Sequence, residues 1–230
     1  RTPLDEAEIN SKITPYWRVS VVELTGSTQN DLLQLVESKN ALDGQVIVTE
    51  YQSSGRGRLD RSFEAPALSA LLFSFYIKPR KERSEWGFIP LIAGLSLVRA
   101  ITSTDAVMNV SLKWPNDLLI DSKKFGGMLS VADAEQTFIV VGIGINIGWA
   151  PDQAAKLKDL AVSSSFEPVD LLRVLLEQIN IVEQLSSRAL HDEYVDGLAT
   201  LNKLVRVELT NGEMIEGKAT ALDLQGRLVV

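Results

Sequence analysis

Apolar positions change their spacing several times along the chain, and each change predicts an element. WRVSVVEL, from Trp17 to Leu24, is rich in β-branched residues between Pro15 and Gly26 and predicts a strand. The next stretch places Leu32, Leu33, Leu35 and Val36 on one helical face, with Thr28 and Asp31 spaced as a capping pair at its start. Asp43-Gly44 predicts a turn, and Gln45 to Tyr51 a second strand. Ala67 to Ile77 is an almost continuous apolar run closed by Pro79, which predicts a strand buried on both faces. Trp86 to Thr102 is apolar nearly all round and predicts a buried helix. Asn109 to Lys113 predicts a short strand. Leu118 to Ile120, a turn at Asp121-Ser122 and Lys124 to Val131 predict a hairpin, continued by Thr137 to Ile147. From Pro168 an amphipathic helix runs through VDLLRVLLEQINIVEQLSS, and Ala189 to Leu198 predicts another.

Near residue 203 the texture changes to short alternating segments with turns at Asn211-Gly212 and Gln225-Gly226. About three strands are expected there. So few strands bury little alone, so the unit should pack on the main domain or be truncated at Val230. The expected division is 1–200 and 201–230.

Composition sets the class. With 45% apolar and 23% charged residues, the chain can fill a globular core. No apolar stretch reads as an uninterrupted membrane span, and RTPLD has no signal-peptide pattern, although it does not begin with Met. The absence of Cys excludes disulfides, thiolate catalysis and zinc-thiolate sites, and fits a cytoplasmic protein. A single His, His191, makes a Ser-His-Asp triad or a two-His metal site improbable, and no metal-binding cluster is expected. A net charge of −7 argues against DNA or anionic membranes as partners.

Against that background the run QSSGRGRLDRSF, residues 52–63, needs a local explanation. A single Arg there would be a solvated turn. Gly-Arg-Gly-Arg spends loop entropy, which suits backbone N–H groups and guanidinium forks closing on phosphate or carboxylate. An RNA-binding tether is the other reading of Arg and Gly, but the motif is not repeated. GIGIN first suggests a dinucleotide fingerprint, yet its spacing is G-x-G-x-x-x-G and it ends a strand without opening a helix. No P-loop pattern is present, so a nucleotide would need another scaffold. KWPND reads equally as a strand end with an Asx turn, and the Lys123-Lys124 tip as solvated charge. Gly126-Gly127 inside a strand invites close approach by a ligand or another backbone. Ser27-Thr28 serves as a helix cap, or presents hydroxyls and free N–H groups to a polar ligand.

Together and in this order, GSTQNDLL, TEYQSSGRGR, LKWPNDLLI, KKFGGML and VVGIGINI make the chain resemble the biotin–protein ligases over nearly its full length. The resemblance implies an α/β (α+β) fold: a mixed-sheet catalytic domain like that of class II aminoacyl-tRNA synthetases, followed by a small, here truncated, SH3-like β domain. It implies the monofunctional type, without an N-terminal DNA-binding domain. It implies biotin and ATP as substrates with Mg2+, formation of biotinyl-5′-AMP, and transfer to a lysine of a biotin carboxyl carrier protein domain. A homodimer through sheet edges is a further implication. The neighbouring families are lipoate–protein ligases and octanoyl transferases, the latter needing a cysteine this chain lacks. A non-catalytic biotin-binding module is opposed by the presence of Lys124 and Arg58.

Residue by residue, the resemblance assigns Ser27, Thr28, Gln29 and Gln52 to the biotin head group, with Gln29 standing where Asn is common. Arg56, Gly57 and Arg58 would close over biotin's tail and the adenylate, and Trp114 would wall the pocket. Lys124, not Lys123, would contact the biotin carboxylate and the α-phosphate. Asn116, Gly127 and Asn146 would line the shared site, with Asn146 near adenine. Asp117 would orient or deprotonate the incoming lysine. Asp60 and Phe63 stand where Gly and Trp are common, Phe63 keeping a face for adenine.

Overall fold

The computed structural model of the chain describes residues 2–59, 61–104, 108–133, 137–160, 167–209 and 211–230. At its centre lies a seven-stranded sheet: β1 (Arg18–Thr25), β2 (Gln45–Gln52), β3 (Ala70–Ile77), β4 (Val110–Lys113), β5 (Asp117–Ile120), β6 (Lys123–Ala132) and β7 (Ile139–Asn146), in the order β1-β2-β3-β7-β6-β5-β4. Only β1 and β2 run parallel, because α2 (Thr28–Glu37) carries the chain back between them. The other neighbours are antiparallel, with short connections joining β4 to β5, β5 to β6 and β6 to β7.

The two faces of the sheet do different work. On β3 and β7 the odd-numbered residues Leu71, Phe73, Phe75, Ile77, Ile139, Val141, Ile143 and Ile145 enter the main core. They meet α3 (Ile89–Thr104) and α5 (Pro168–Glu183), whose apolar stripe includes Leu171, Leu172, Leu175, Leu176 and Ile179. The even positions Tyr76 and Val140 lie under α2 with Leu32 and Ile47. Further along the same face, Ser74, Gly142 and Gly144 leave the sheet uncovered. The period-2 geometry of a strand thus builds a core on one side and a trough on the other from the same residues.

Arg83–Phe88 forms a 3₁₀ turn leading into α3. Together, Arg83–Thr104 is long and apolar enough to cross a membrane, which the sequence pattern did not predict, but most of it is buried in the protein's own core. The short helix α1 (Glu6–Lys12) was also not expected. Asp5 caps it, Oδ1 accepting from Glu8 N at 2.7 Å. Asn10 in α1 exchanges two hydrogen bonds with the backbone of Val19, at 2.7 and 3.0 Å, and Glu6 accepts from Val21 N at 2.8 Å. Side chains therefore satisfy part of the outer edge of β1, one of the standard protections for an edge strand.

After α4 (Leu157–Leu160) and α5, α6 (Ser187–Asp196) starts two residues earlier than its pattern predicts, capped by Ser186. The C-terminal region holds four short strands where three were expected: β8 (Leu204–Glu208) pairs with β9 (Met214–Lys218), and β10 (Ala221–Leu222) with β11 (Leu228–Val229). The additional strand arises because the segment between the two expected turns divides into β9 and β10, the latter of two residues, too few to leave a legible alternation. Residues 197–199 join this region to the sheet by bonding along β4, Leu112 N donating to Gly197 O and Ala199 N to Leu112 O.

Candidate active site

The uncovered face of the sheet is the floor of a cleft of about 780 Å³. That volume lies in the range of small-molecule sites. Three glycines shape the floor. Gly127 pairs with Gly144 across β6 and β7, and Gly142 lies two residues along from Gly144, on the same face. With no Cβ at any of them, the sheet is recessed. The ring of Phe63 drops into part of that recess; a Cβ on Gly144 would sit only 2.7–2.9 Å from three of its ring atoms. The repeated glycines of GIGIN thus serve as space under the cleft, with no phosphate turn.

One end of the cleft is neutral and polar. The start of α2 buries Ser27, Thr28 and Gln29. Thr28 is the first helical residue and Asp31 does not cap it. Asp31 instead accepts from Thr25 Oγ1 at 2.6 Å, because the strand end, not the helix start, offers it the nearer donor. Thr28 N and Oγ1 both donate to Gln52 Oε1, at 2.9 and 3.0 Å, and Thr28 Oγ1 lies 2.7 Å from Ser74 Oγ. Gln29 turns into the sheet, its amide donating to Leu129 O at 2.7 Å and to Val140 O at 3.5 Å. Its NH2 is therefore engaged with β6 and β7, although the residue still lines the cleft. Thr28→Val should destabilise the fold by about 1–3 kcal/mol, read as a shift in denaturant midpoint, because the buried hydroxyl of Ser74 loses its 2.7 Å partner.

The other end is cationic. The arginine loop folds as a small closed hairpin: Gly57 N donates to Arg61 O, Arg61 N to Arg58 O and Phe63 N to Gly55 O. Arg56 Nη1 donates to Asn30 Oδ1 at 3.2 Å, anchoring the loop on α2. Arg56, Gly57, Arg58 and Arg61 all line the cleft. Asp60 lies outside the described residues.

Opposite them stands the KWPND turn. Asn116 is locked to β6, its Nδ2 donating to Met128 O at 2.9 Å while its own carbonyl accepts from Met128 N at 3.0 Å. Lys124 Nζ lies 2.6 Å from Asp117 Oδ1, and Lys124 is 46% exposed to the cleft. A Cβ on Gly127 would meet Lys124 Cε and Nζ at 3.4 Å, so the lysine lies over that glycine. Lys123 faces away, into a separate hollow with Asp121 and Asp152.

The cleft thus unites Ser27, Thr28, Gln29, Gln52, Arg56, Gly57, Arg58, Phe63, Trp114, Asn116, Asp117, Lys124 and Gly127. Asn146 is the exception. It is buried at the end of β7, its amide donating to Ala155 O at 3.2 Å, and it does not line the cleft. Being at an even position like Gly142 and Gly144, it shares their face, but the segment around Ala155 covers it.

Several residues that line or support the cleft carried no sequence signal strong enough to find them. Ser74 is the one polar residue in ALLFSFYI, a signal in retrospect. Asn30, whose side chain holds Arg56, directly follows Gln29. Lys203 and Arg206 come from the C-terminal region, and only the tertiary fold brings β8 to the cleft. Among the described residues, no three His, Cys, Asp or Glu side chains converge as a metal site.

The chain is 34% identical to a biotin–[acetyl-CoA-carboxylase] ligase of Mycobacterium tuberculosis, over 99% of this chain and 90% of that one. It is 28% identical to the bifunctional ligase/repressor BirA of Bacillus subtilis, over 90% of this chain and 67% of the relative. The fold superposes on a biotin protein ligase of Aquifex aeolicus, solved with biotin and ATP, with a TM-score of 0.77, 25% identity and coverage of 91% and 90% of the two chains. Residues 21–146, from β1 through the arginine loop and KWPND turn to the end of β7, match the biotin/lipoate A/B protein ligase model, and it is to this family that the chain belongs.

Proposed function

We propose that the chain is an ATP-dependent biotin–protein ligase. The observation that carries this reading is the polarity of the cleft: a neutral hydrogen-bonding end at Ser27, Thr28, Gln52 and Ser74 faces a cationic end at Arg56, Arg58 and Lys124 across a glycine floor. Biotin has that polarity, a neutral ureido ring at one end and a carboxylate at the other. The 34% identity over almost the whole chain supports the same assignment.

The chemistry has two steps. A carboxylate oxygen of biotin attacks the α-phosphorus of Mg-ATP, the bond to pyrophosphate breaks, and biotinyl-5′-AMP forms. A lysine amine of a biotin carboxyl carrier domain then attacks the acyl carbon, and AMP leaves. Two anions must first be held against each other, which is costly in water and favourable beside preorganised cations. Lys124 and the arginine loop are assigned that role. Asp117, now paired with Lys124, is assigned to the second step, where the bound adenylate would compete for the lysine and release the carboxylate to receive the acceptor's ammonium proton. Mg2+ enters as part of the nucleotide substrate. The two C-terminal hairpins are read as part of an SH3-like β unit, supported by their short antiparallel strands. A biotin carboxyl carrier domain is the proposed macromolecular partner; DNA is not one, on the strength of the acidic balance of the chain.

The test is incubation with Mg-ATP, a carrier domain and either biotin or lipoate, followed by intact-protein mass spectrometry. The expected result is one added biotin on one lysine of the carrier and no lipoate adduct. An unmodified carrier, where a control ligase labels it, would refute the assignment; a lipoate adduct alone would shift it to the other branch of the family.

A further inference from the structure

Trp114 belongs to the KWPND turn, lines the cleft and packs against the main core, and its hydrogen bonds lead toward the C-terminal part of the chain. Its backbone N donates to Thr200 Oγ1 at 2.9 Å, and its indole Nε1 donates to Gly226 O at 3.0 Å, a partner 112 residues further on. We infer that the Asp223–Arg227 turn is a positioning device for Trp114, holding the indole as a fixed wall of the cleft. This inference rests on the ligase reading above.

The turn is built to be rigid. Gly226 N donates to Asp223 O and Asp223 N to Arg227 O, at 3.0 and 2.9 Å. The Asp223 side chain completes it, Oδ1 accepting from Gln225 N and Arg227 N, both at 2.9 Å, and Oδ2 from Arg227 Nε at 2.7 Å. These donors, the Arg227 backbone N–H foremost, hold the carboxyl below the usual carboxylate range. The turn is also seated. Gly226 has φ +78°, and a Cβ there would lie 3.1 Å from Leu91 Cδ1 and 3.2 Å from Gly87 O. A Cβ on Gly87 would lie 2.4 Å from Gln225 O. The turn is therefore pressed onto the start of α3, the rigid centre of the core, with backbone against backbone. A half-buried indole with its N–H pinned to such a seat has one orientation. Without the pin, its N–H would be satisfied by water in several, and the site wall would no longer be preorganised.

The experiment uses the full chain, with biotin binding measured by calorimetry and indole N–H exchange of 15N-tryptophan-labelled protein followed by NMR. Asp223→Ala should weaken biotin binding by about 3- to 10-fold, the worth of one typical hydrogen bond, and speed exchange at Trp114. Asp223→Asn keeps the Oδ1 acceptor for both backbone donors and should stay within about twofold of the unaltered chain on both readouts. Trp114→Phe removes the N–H without touching the turn and should weaken biotin binding to a similar degree. A role confined to folding would lower the melting temperature of Asp223→Ala and leave the biotin affinity of its folded fraction unchanged. That result, or unaccelerated exchange in Asp223→Ala, would overturn the inference while leaving the ligase reading intact. An unaltered chain that binds no biotin would sink both.

Discussion

Lys124→Ala should slow biotinyl-AMP formation by about 10²–10³-fold, whereas Lys123→Ala should leave it nearly unchanged. The loss corresponds to about 3–4 kcal/mol of transition-state stabilisation, by analogy with removing one preorganised donor from a developing oxyanion. The geometry separates the two lysines. Lys124 Nζ reaches over Gly127 into the cleft and pairs with Asp117 at 2.6 Å. Lys123 faces a different hollow and is exposed, so its charge should be worth well under about 1 kcal/mol to the reaction. The measurement is pyrophosphate release with biotin and Mg-ATP, without an acceptor. Equal losses in both variants would mean that the lysines act as a diffuse cationic patch. A larger loss at Lys123 would place the wrong lysine at the site. Asp117→Ala offers an internal contrast: it should spare adenylate formation more than transfer to the carrier, because only the second step needs a group to receive the acceptor's proton.

Gly55→Ala should reduce adenylate formation by about 10²-fold, an effect nearly as large, from a residue that does not line the cleft. A Cβ at Gly55 would lie 2.3 Å from Phe63 O, on the residue whose N donates to Gly55 O. The obstacle is backbone and cannot rotate away, so the hairpin carrying Arg56 and Arg58 must open. A displacement of about 1 Å in groups that position two reactants can cost about 100-fold. The loop lies at the surface and contributes little to the core, so the thermal midpoint should fall only slightly. Steady-state kinetics alongside a melting curve checks both halves. Loss of activity in step with loss of folded protein would show that the loop stabilises the fold and does not only arrange the arginines.

Much of the architecture was legible because burial has a period. The strands from Arg18 to Asn146 and the helices α2, α3 and α5 all announce themselves by apolar spacing, and the boundaries shift by only a few residues. What spacing could not show was α1, whose seven residues include a single buried side chain, Ile9. The same limit applies to β10 and β11, two residues each. The apparent cap at Thr28 and Asp31 failed for a different reason: a nearby strand end supplied a better donor to Asp31, and no one-dimensional pattern records that competitor.

For the site, the sequence by itself determined which chemistry is present. Arg56 and Arg58 between glycines point to an anion without any coordinates, because cations and glycine-rich loops carry their physical meaning locally; the ligase reading of the KWPND turn, Lys124 and the strand glycines came from the resemblance of the combined motifs. Only the tertiary structure decided which of these groups meet. Strict alternation from Gly127 would turn Lys124 to the core and Phe125 to the cleft. A bulge between β5 and β6 reverses this: Leu118 pairs with Gly126 and Leu119 with Lys124, leaving Phe125 unpaired and fully buried. One extra residue in the ladder thus lets Lys124 and Gly127 share a face. Likewise Asn146, at the right parity, is withdrawn under Ala155, while Ser74 and Gly226 are brought in from distant parts of the chain and Asn30, on α2, is brought to Arg56. Residue chemistry is local and survives in one dimension; shared faces, cover and register depend on partners far along the chain, and only folding brings those together.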